Sequence, residues 1–333
     1  MKIILPGLTM VLVLAATVDA TAELPPAAGG PTTVTAGDEL MRQVLLQLER
    51  LEAIAARLRF QVSLDDRQLS GAGSYWQQGR GESLRIRLEL RVAGQTSLLQ
   101  VSNGRFLWND QTLPTGRTIT RLDLRQLRSP TLLADAEADV LAPGTAAWSP
   151  LQPEHSARAG GLPALVSALS EQFTFSPPQA MRWTPSPPLS GLPGSLPVYA
   201  VVGRWNREAL DALLPKPEDV TEAASKPPAR VPQEVLLLVS QAESFPYHIE
   251  YRRLDDPAAS QTVDGRLAPF QLSAEPLVLV EYFDVVFDRP VSVGQFDYSP
   301  GDANWDDRTA EYLDKLRGKH RKQLANRKRG EQL

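Results

Sequence analysis

The chain has 333 residues, 42% hydrophobic and 22% charged, with a formal net charge of −4 and a mean hydropathy of −0.23. That balance excludes a multi-span membrane protein and a highly charged disordered chain. An isoelectric point near 5.6 leaves no nucleic-acid partner expected. Zero cysteines exclude thiol nucleophiles, disulfides and cysteine zinc sites.

The first residues, MKIILPGLTMVLVLAATVDATA, pair Lys2 with an apolar run from Ile3 to Val18 and the small-residue signal Ala20-Thr21-Ala22. The run is too short to span a bilayer, which takes about 20 residues, and it predicts a signal peptide over 1–22. No cysteine follows the cleavage site, so the expected product is a soluble periplasmic or otherwise extracytoplasmic protein, not a lipoprotein. A Pro/Gly-rich spacer occupies 23–37, ahead of a single domain over 38–317.

That domain opens on an amphipathic helix from Asp38 to about Leu58, with Leu40, Val44, Leu48, Leu51, Ala55 and Leu58 at helical spacing. Thr35 with Asp38 three residues on resembles a capping box. Strand patterns follow over Phe60 to Leu69 and, after Gly71-Ala72-Gly73, over Ser74 to Gln78. From Ser83 to Val92, Leu84, Ile86, Leu88, Leu90 and Val92 alternate with Ser83, Arg85, Arg87, Glu89 and Arg91, a strand with one apolar and one wet face. Asn103-Gly104 closes a hairpin between Thr96 to Ser102 and Arg105 to Asn109, and Arg117 to Leu124 adds another strand. Short connections imply an antiparallel meander.

Three long excursions are expected, over 129–160, 176–197 and 215–232; the latter two are proline-rich, in a chain with 28 prolines. Between them lie a helix (Leu162 to Phe173), a strand (Pro197 to Trp205) and a short helix capped by Asn206. Strands return at Glu234 to Ala242, Tyr247 to Arg252, Pro276 to Phe287 and Val291 to Tyr298, before a helix from about Asp307 to Lys319. About ten strands with helices before, between and after them indicate an α+β fold. From Asp314 onward, eight Lys/Arg face two acids, a local charge of +6. The basic tail over 318–333 reads as a solvated end that makes weak contact with an anionic membrane surface.

Catalytic sets do not assemble from this sequence. His155 lies in an irregular stretch, His320 in the tail, and His248 on the alternate, surface side of its strand. The carboxylate pairs Asp65-Asp66, Asp284/Asp288 and Asp306-Asp307 lack the spacing of a glycosidase. The acid-rich stretch Asp297 to Asp307 lacks the order of a calcium loop and reads as helix capping by Asp306 or Asp307, and no glycine-rich loop precedes a helix. The protein is expected not to be an enzyme and to hold neither metal nor cofactor.

Gly71-Ala-Gly-Ser-Tyr-Trp76, then Val101-Ser-Asn-Gly-Arg-Phe-Leu-Trp108, resembles the LolA/LolB superfamily of bacterial envelope proteins, and Val291-Ser-Val-Gly-Gln-Phe-Asp-Tyr-Ser-Pro300 resembles that family's closing segment. The resemblance covers about 38–128 and 275–317. It implies an unclosed, strongly curved antiparallel β-barrel covered by helices, whose concave face holds a hydrophobic ligand such as a lipid acyl chain or the acyl chain of a lipoprotein. It also includes envelope stress sensors, so the alternative is an interaction module whose cavity is filled by its own side chains. The expected ligand wall comprises Trp76, Leu84, Ile86, Leu88, Leu90, Phe106 and Trp108; the competing role for its aromatics is plain core packing. The family's carrier has Arg-Pro just after the tryptophan strand, where this chain has Gly79-Arg80-Gly81, so a lipoprotein-shuttling mechanism does not carry over.

Overall fold

The structure is a computed structural model, and it describes residues 35–64, 67–92, 97–127, 153–185, 194–207, 209–210, 231–253 and 276–314. The expected signal peptide, the basic tail, the spacer up to residue 34, and residues 129–152, 186–193 and 215–230 of the three expected excursions lie outside the described residues.

Helix α1 (Ala36–Arg50) begins at the expected capping box. The Thr35 hydroxyl accepts from the Asp38 N–H at 3.0 Å, and the Asp38 carboxylate accepts from the Thr35 N–H at 3.1 Å. Its buried stripe is Leu40, Met41, Val44 and Leu48, each contributing roughly 1.5–3 kcal/mol on burial. The helix ends eight residues before the sequence periodicity does. Leu51 turns extended, and β1 (Ala53–Leu64) takes over with Ile54, Ala56, Leu58, Phe60 and Val62 pointing into the core. A strand paired on both edges satisfies most backbone groups there, so pairing overrides the helical spacing of Ala55 and Leu58.

Strands β2 (Arg67–Gln78), β3 (Arg85–Val92), β4 (Ser97–Ser102), β5 (Phe106–Leu113) and β6 (Gly116–Asp123) continue from β1 as the expected antiparallel meander. Gly71-Ala-Gly73 lies inside β2 rather than before it. An ideal Cβ at Gly71 would sit 2.2 Å from the Arg91 carbonyl oxygen, and one at Gly73 2.0 Å from that of Glu89. Only glycine lets β3 press this closely, which bends the sheet. One extra residue in β12 (Pro276–Phe287), where Asp284 has φ 49°, adds a bulge opposite β1 and a second bend.

After the short α2 (Leu124–Leu127), the described chain resumes with α3 (Pro153–Gln172), β7 (Phe173–Phe175), β8 (Gln179–Trp183) and β9 (Leu196–Trp205). β8 forms within the proline-rich stretch where no regular structure was expected; Pro177 and Pro178 precede it, and it pairs on the edge of β9. β10 (Glu234–Ser240), β11 (Pro246–Arg252) and β12 then build back toward β1. The sheet holds 13 strands in the order β13-β6-β5-β4-β3-β2-β1-β12-β11-β10-β9-β7, with β8 also on β9; β13 is Asp306–Asp307. Among the described residues its two ends, β13 and β7, do not pair with each other, so the barrel is open there. The fold is thus of the expected α+β class: a curved, mostly antiparallel sheet, unclosed among the described residues, with more strands than the ten expected.

Helices α1 and α3 pack together on one face, here the inner face, and share a core with β1 to β4 and β9 to β12. A smaller cluster joins Leu107, Leu124, Leu127 and Tyr312 at the β5–β6 end. Val291 to Tyr298 is not a strand: it runs through a 3-10 turn at Val293–Phe296. No helix among the described residues is long and apolar enough to cross a membrane.

Candidate functional site

Register assigns every side chain of β1 to β6 to one of two faces. The pairs Ala56–Tyr75, Tyr75–Leu88, Leu88–Gln100, Gln100–Asn109 and Asn109–Thr120 form a row across all six strands. Tyr75 touches α3, so this row lies on the inner face. One row away lie Leu90, Leu98, Gln111 and Thr118; on the other side lie Ile86, Ser102, Leu107 and Leu122.

Of the expected ligand wall, Leu84, Ile86, Leu88 and Leu90 are inner-face residues. Leu84, Ile86 and Leu90 are packed core, with at most 5% of their surface exposed. Leu88 is half-buried, as are Val92 and Leu113 beside the same core. Between this core and the small cluster at β5–β6 lies a strip of uncharged polar side chains, Gln100, Asn109, Gln111, Thr118 and Thr120. Gln100 is buried, Asn109, Gln111 and Thr120 are half-buried and Thr118 is exposed. Sequence reasoning missed this strip because an inner-face Gln or Thr looks the same as a solvated one.

One hydroxyl fixes how α3 covers the inner face. Tyr75 Oη donates to Gln77 Oε1 at 2.5 Å and accepts from the Leu162 N–H at 3.0 Å. That N–H opens the straight part of α3, just after Gly161 breaks the helix with φ 63° and ψ −151°. An ideal Cβ at Gly161 would lie 2.5 Å from both Gln77 Oε1 and Tyr75 Oη. Burial pushes the Tyr75 phenol far above its ordinary range, so it stays a neutral donor.

Trp76, Phe106 and Trp108 fall on the other face, together with Arg87 and Arg121, so they do not join the leucines of β3 in one wall. A strap, 288–307, crosses that outer face strand by strand. The Asp288 carboxylate accepts from the Glu52 N–H, Gln78 accepts from the Val291 N–H, and Arg87 donates to the Gln295 carbonyl. Tyr298 donates to Asp110 at 2.8 Å; burial and that bond push its phenol up to about 12. Trp108 is roofed by Tyr298 and Trp305, with ring centroids 5.4 and 5.2 Å away. The Arg121 guanidinium lies over Phe106 at 4.6 Å and Trp305 at 4.4 Å and pairs with Asp307 at 2.5 Å. The strap then pairs with the β6 edge as β13. Trp108 therefore anchors the strap. Trp76 is half-buried beside Ala55 and Arg87.

His248 is not the surface residue its alternation indicated; it is 4% exposed. On the outer face of β1, β12 and β11, Arg59, Glu281, His248, Glu250 and Arg252 form a ladder of alternating charge. His248 Nδ1 lies 3.2 Å from Glu281 and Nε2 2.9 Å from Glu250, and Trp183 meets the ring edge-on at 5.8 Å. Burial opposes the imidazolium, but the hydrogen bonds to Glu250 and Glu281 outweigh it and raise the His248 pKa. Burial likewise opposes both carboxylates, and their bonds to His248 and to Arg252 or Arg59 hold them low. Among the described residues no group of His, Asp and Glu is arranged to hold a metal ion.

No protein-family profile and no curated protein matches this chain. Solved structures with a similar layout include a DUF1329 family protein from Desulfovibrio piger (TM-score 0.32, 10% identity, 79% of this chain and 96% of that one). Others are a putative outer membrane lipoprotein-sorting protein domain from Vibrio parahaemolyticus (0.30, 9%, 78% and 96%) and a LolA superfamily protein from Nitrosomonas europaea (0.24, 14%, 80% and 99%). No functional residue is carried over from them.

Proposed function

We propose that the protein is a non-enzymatic, extracytoplasmic binder of a hydrophobic ligand, a lipid acyl chain or an acylated lipoprotein, held on the inner face of the open barrel. The observation that carries this reading is the strip around Leu88. Two separate apolar clusters flank it, and Leu88, Val92 and Leu113 keep part of their surface open beside it. Concave, mostly apolar surfaces with a few placed polar groups are the usual form of a small-molecule site. Export follows from the leader over 1–22, and the basic tail makes weak, salt-sensitive contact with anionic lipid.

A second reading has its own support. Leu84, Ile86 and Leu90 are already packed beneath helices, which favours an interaction or stress-sensor module whose barrel is filled by its own side chains. Nile red, an uncharged dye that brightens in apolar surroundings, separates the two. The binding reading predicts saturable uptake by the wild type that Leu88→Glu abolishes while the protein stays folded. Folded wild-type protein without uptake favours the self-filled module.

A further inference from the structure

The two faces of β3 to β6 differ in charge as well as in polarity. The outer face carries Arg85, Arg87, Glu89, Arg91, Asp110, Arg117, Arg121 and Asp123. Every inner position of the described register on these strands is apolar or uncharged polar: Ile86, Leu88, Leu90 and Val92, then Leu98, Gln100 and Ser102, then Leu107, Asn109, Gln111 and Leu113, then Gly116, Thr118, Thr120 and Leu122. The polar members are grouped. Gln100, Asn109 and Thr120 are consecutive partners in one row, and Gln111 and Thr118 are partners in the next. Leu88 abuts the end of the first row and Leu98 the end of the second. Gln100 is 4% exposed, and its amide is not among the enclosed, unpartnered side-chain groups of the described residues. A ligand oxygen or hydroxyl beside Gln100 would find an amide able to donate and accept.

Resting on the binding reading above, we infer that this strip is a headgroup subsite for an uncharged acyl ester bearing hydroxyls, of the acylglycerol type. Amides and hydroxyls at Gln100, Asn109, Thr120 and Thr118 offer donors and acceptors to ester carbonyls and hydroxyls. The acyl chain lies toward Leu88 and Val92, beside the larger core. A carboxylate or ammonium placed here would lose its water with no counter-charge on this face of these strands, so ionised amphiphiles are disfavoured. The polarity is one-sided, one wet end and one apolar end, which matches an amphiphile. An extended peptide would set polar backbone along the whole groove.

The test is competition against Nile red on the full chain at pH 8, using 1-monolauroylglycerol, methyl laurate and laurate, which share one acyl chain. The expected order is monolauroylglycerol tightest, methyl laurate weaker, and laurate at least tenfold weaker than monolauroylglycerol, because its ionised head must desolvate. Gln100→Leu should bring monolauroylglycerol and methyl laurate to within about twofold of each other, since the hydrogen bond that separates them is gone. If Gln100→Leu does not fold, Asn109→Ala and Thr120→Val, at half-buried positions, should narrow the same gap. Laurate binding as tightly as monolauroylglycerol, or an unchanged gap in folded variants, overturns the headgroup assignment while leaving acyl binding intact. Displacement by an uncharged, end-capped apolar peptide but not by monolauroylglycerol overturns it in favour of a peptide groove. Failure of the wild type to take up Nile red overturns the binding reading, and this assignment with it.

Discussion

Removing one oxygen should loosen the helix that covers the inner face. In Tyr75→Phe the ring stays in its edge contact with Tyr282, at 6.3 Å between centroids, so the apolar packing is kept. What goes is the hydroxyl that accepts from the Leu162 N–H and donates to Gln77 Oε1. Tyr75 is 4% and Gln77 2% exposed, so bulk water does not replace it. An orphaned buried N–H costs about 1–3 kcal/mol, and the amide oxygen of Gln77 loses its partner too. The expected loss is about 2–3 kcal/mol in urea unfolding, with faster amide hydrogen exchange at Leu162 and in the turn that follows. A loss below about 0.5 kcal/mol with unchanged exchange at Leu162 would refute the idea that this hydroxyl anchors α3.

Three further outcomes follow from the same geometry. Gly161→Ala should destabilise more than Tyr75→Phe in the same urea assay, because its Cβ would overlap the Gln77 and Tyr75 oxygens at a backbone conformation that only glycine adopts readily. The charge ladder should make stability fall with rising pH. The folded pKa of His248 lies above its ordinary 6.5, so its contribution is complete below about pH 6.5 and is lost as pH climbs through the raised value. Glu250 and Glu281, held below 4.5, act at the acid end and lose theirs as pH falls. Unfolding free energies from pH 5 to 9 should show the alkaline decline in the wild type and a flatter profile in His248→Gln. Trp305→Ala should free the strap, at a cost of about 1–2 kcal/mol, and open 299–305 to limited proteolysis.

Much of this fold is legible in the residues, and the misreadings have physical causes. The alternation from Leu84 to Val92 identified β3 and its buried face because one side is all aliphatic and the other all charged. The end of α1 was not legible, since Ala55 and Leu58 satisfy a helical period and also the period of β1. β8 and the burial of His248 depend on partners distant in sequence, which local pattern does not carry. The placement of Phe106 and Trp108 could have been read. The closing pair Ser102–Leu107 joins an even to an odd residue, and a two-residue Asn103-Gly104 turn would do the same. Even-numbered residues of β5 therefore oppose the even-numbered leucines of β3. The polar strip was the least legible feature, because only register shows that Gln100, Asn109 and Thr120 lie on the inner face.

Native mass spectrometry on protein isolated from its own envelope fraction tests the central claim most directly. The account predicts an acyl-bearing, uncharged ligand retained by the wild type and absent from folded Leu88→Glu. Wild-type protein free of any acyl ligand, or the same ligand at the same occupancy in folded Leu88→Glu, would contradict it.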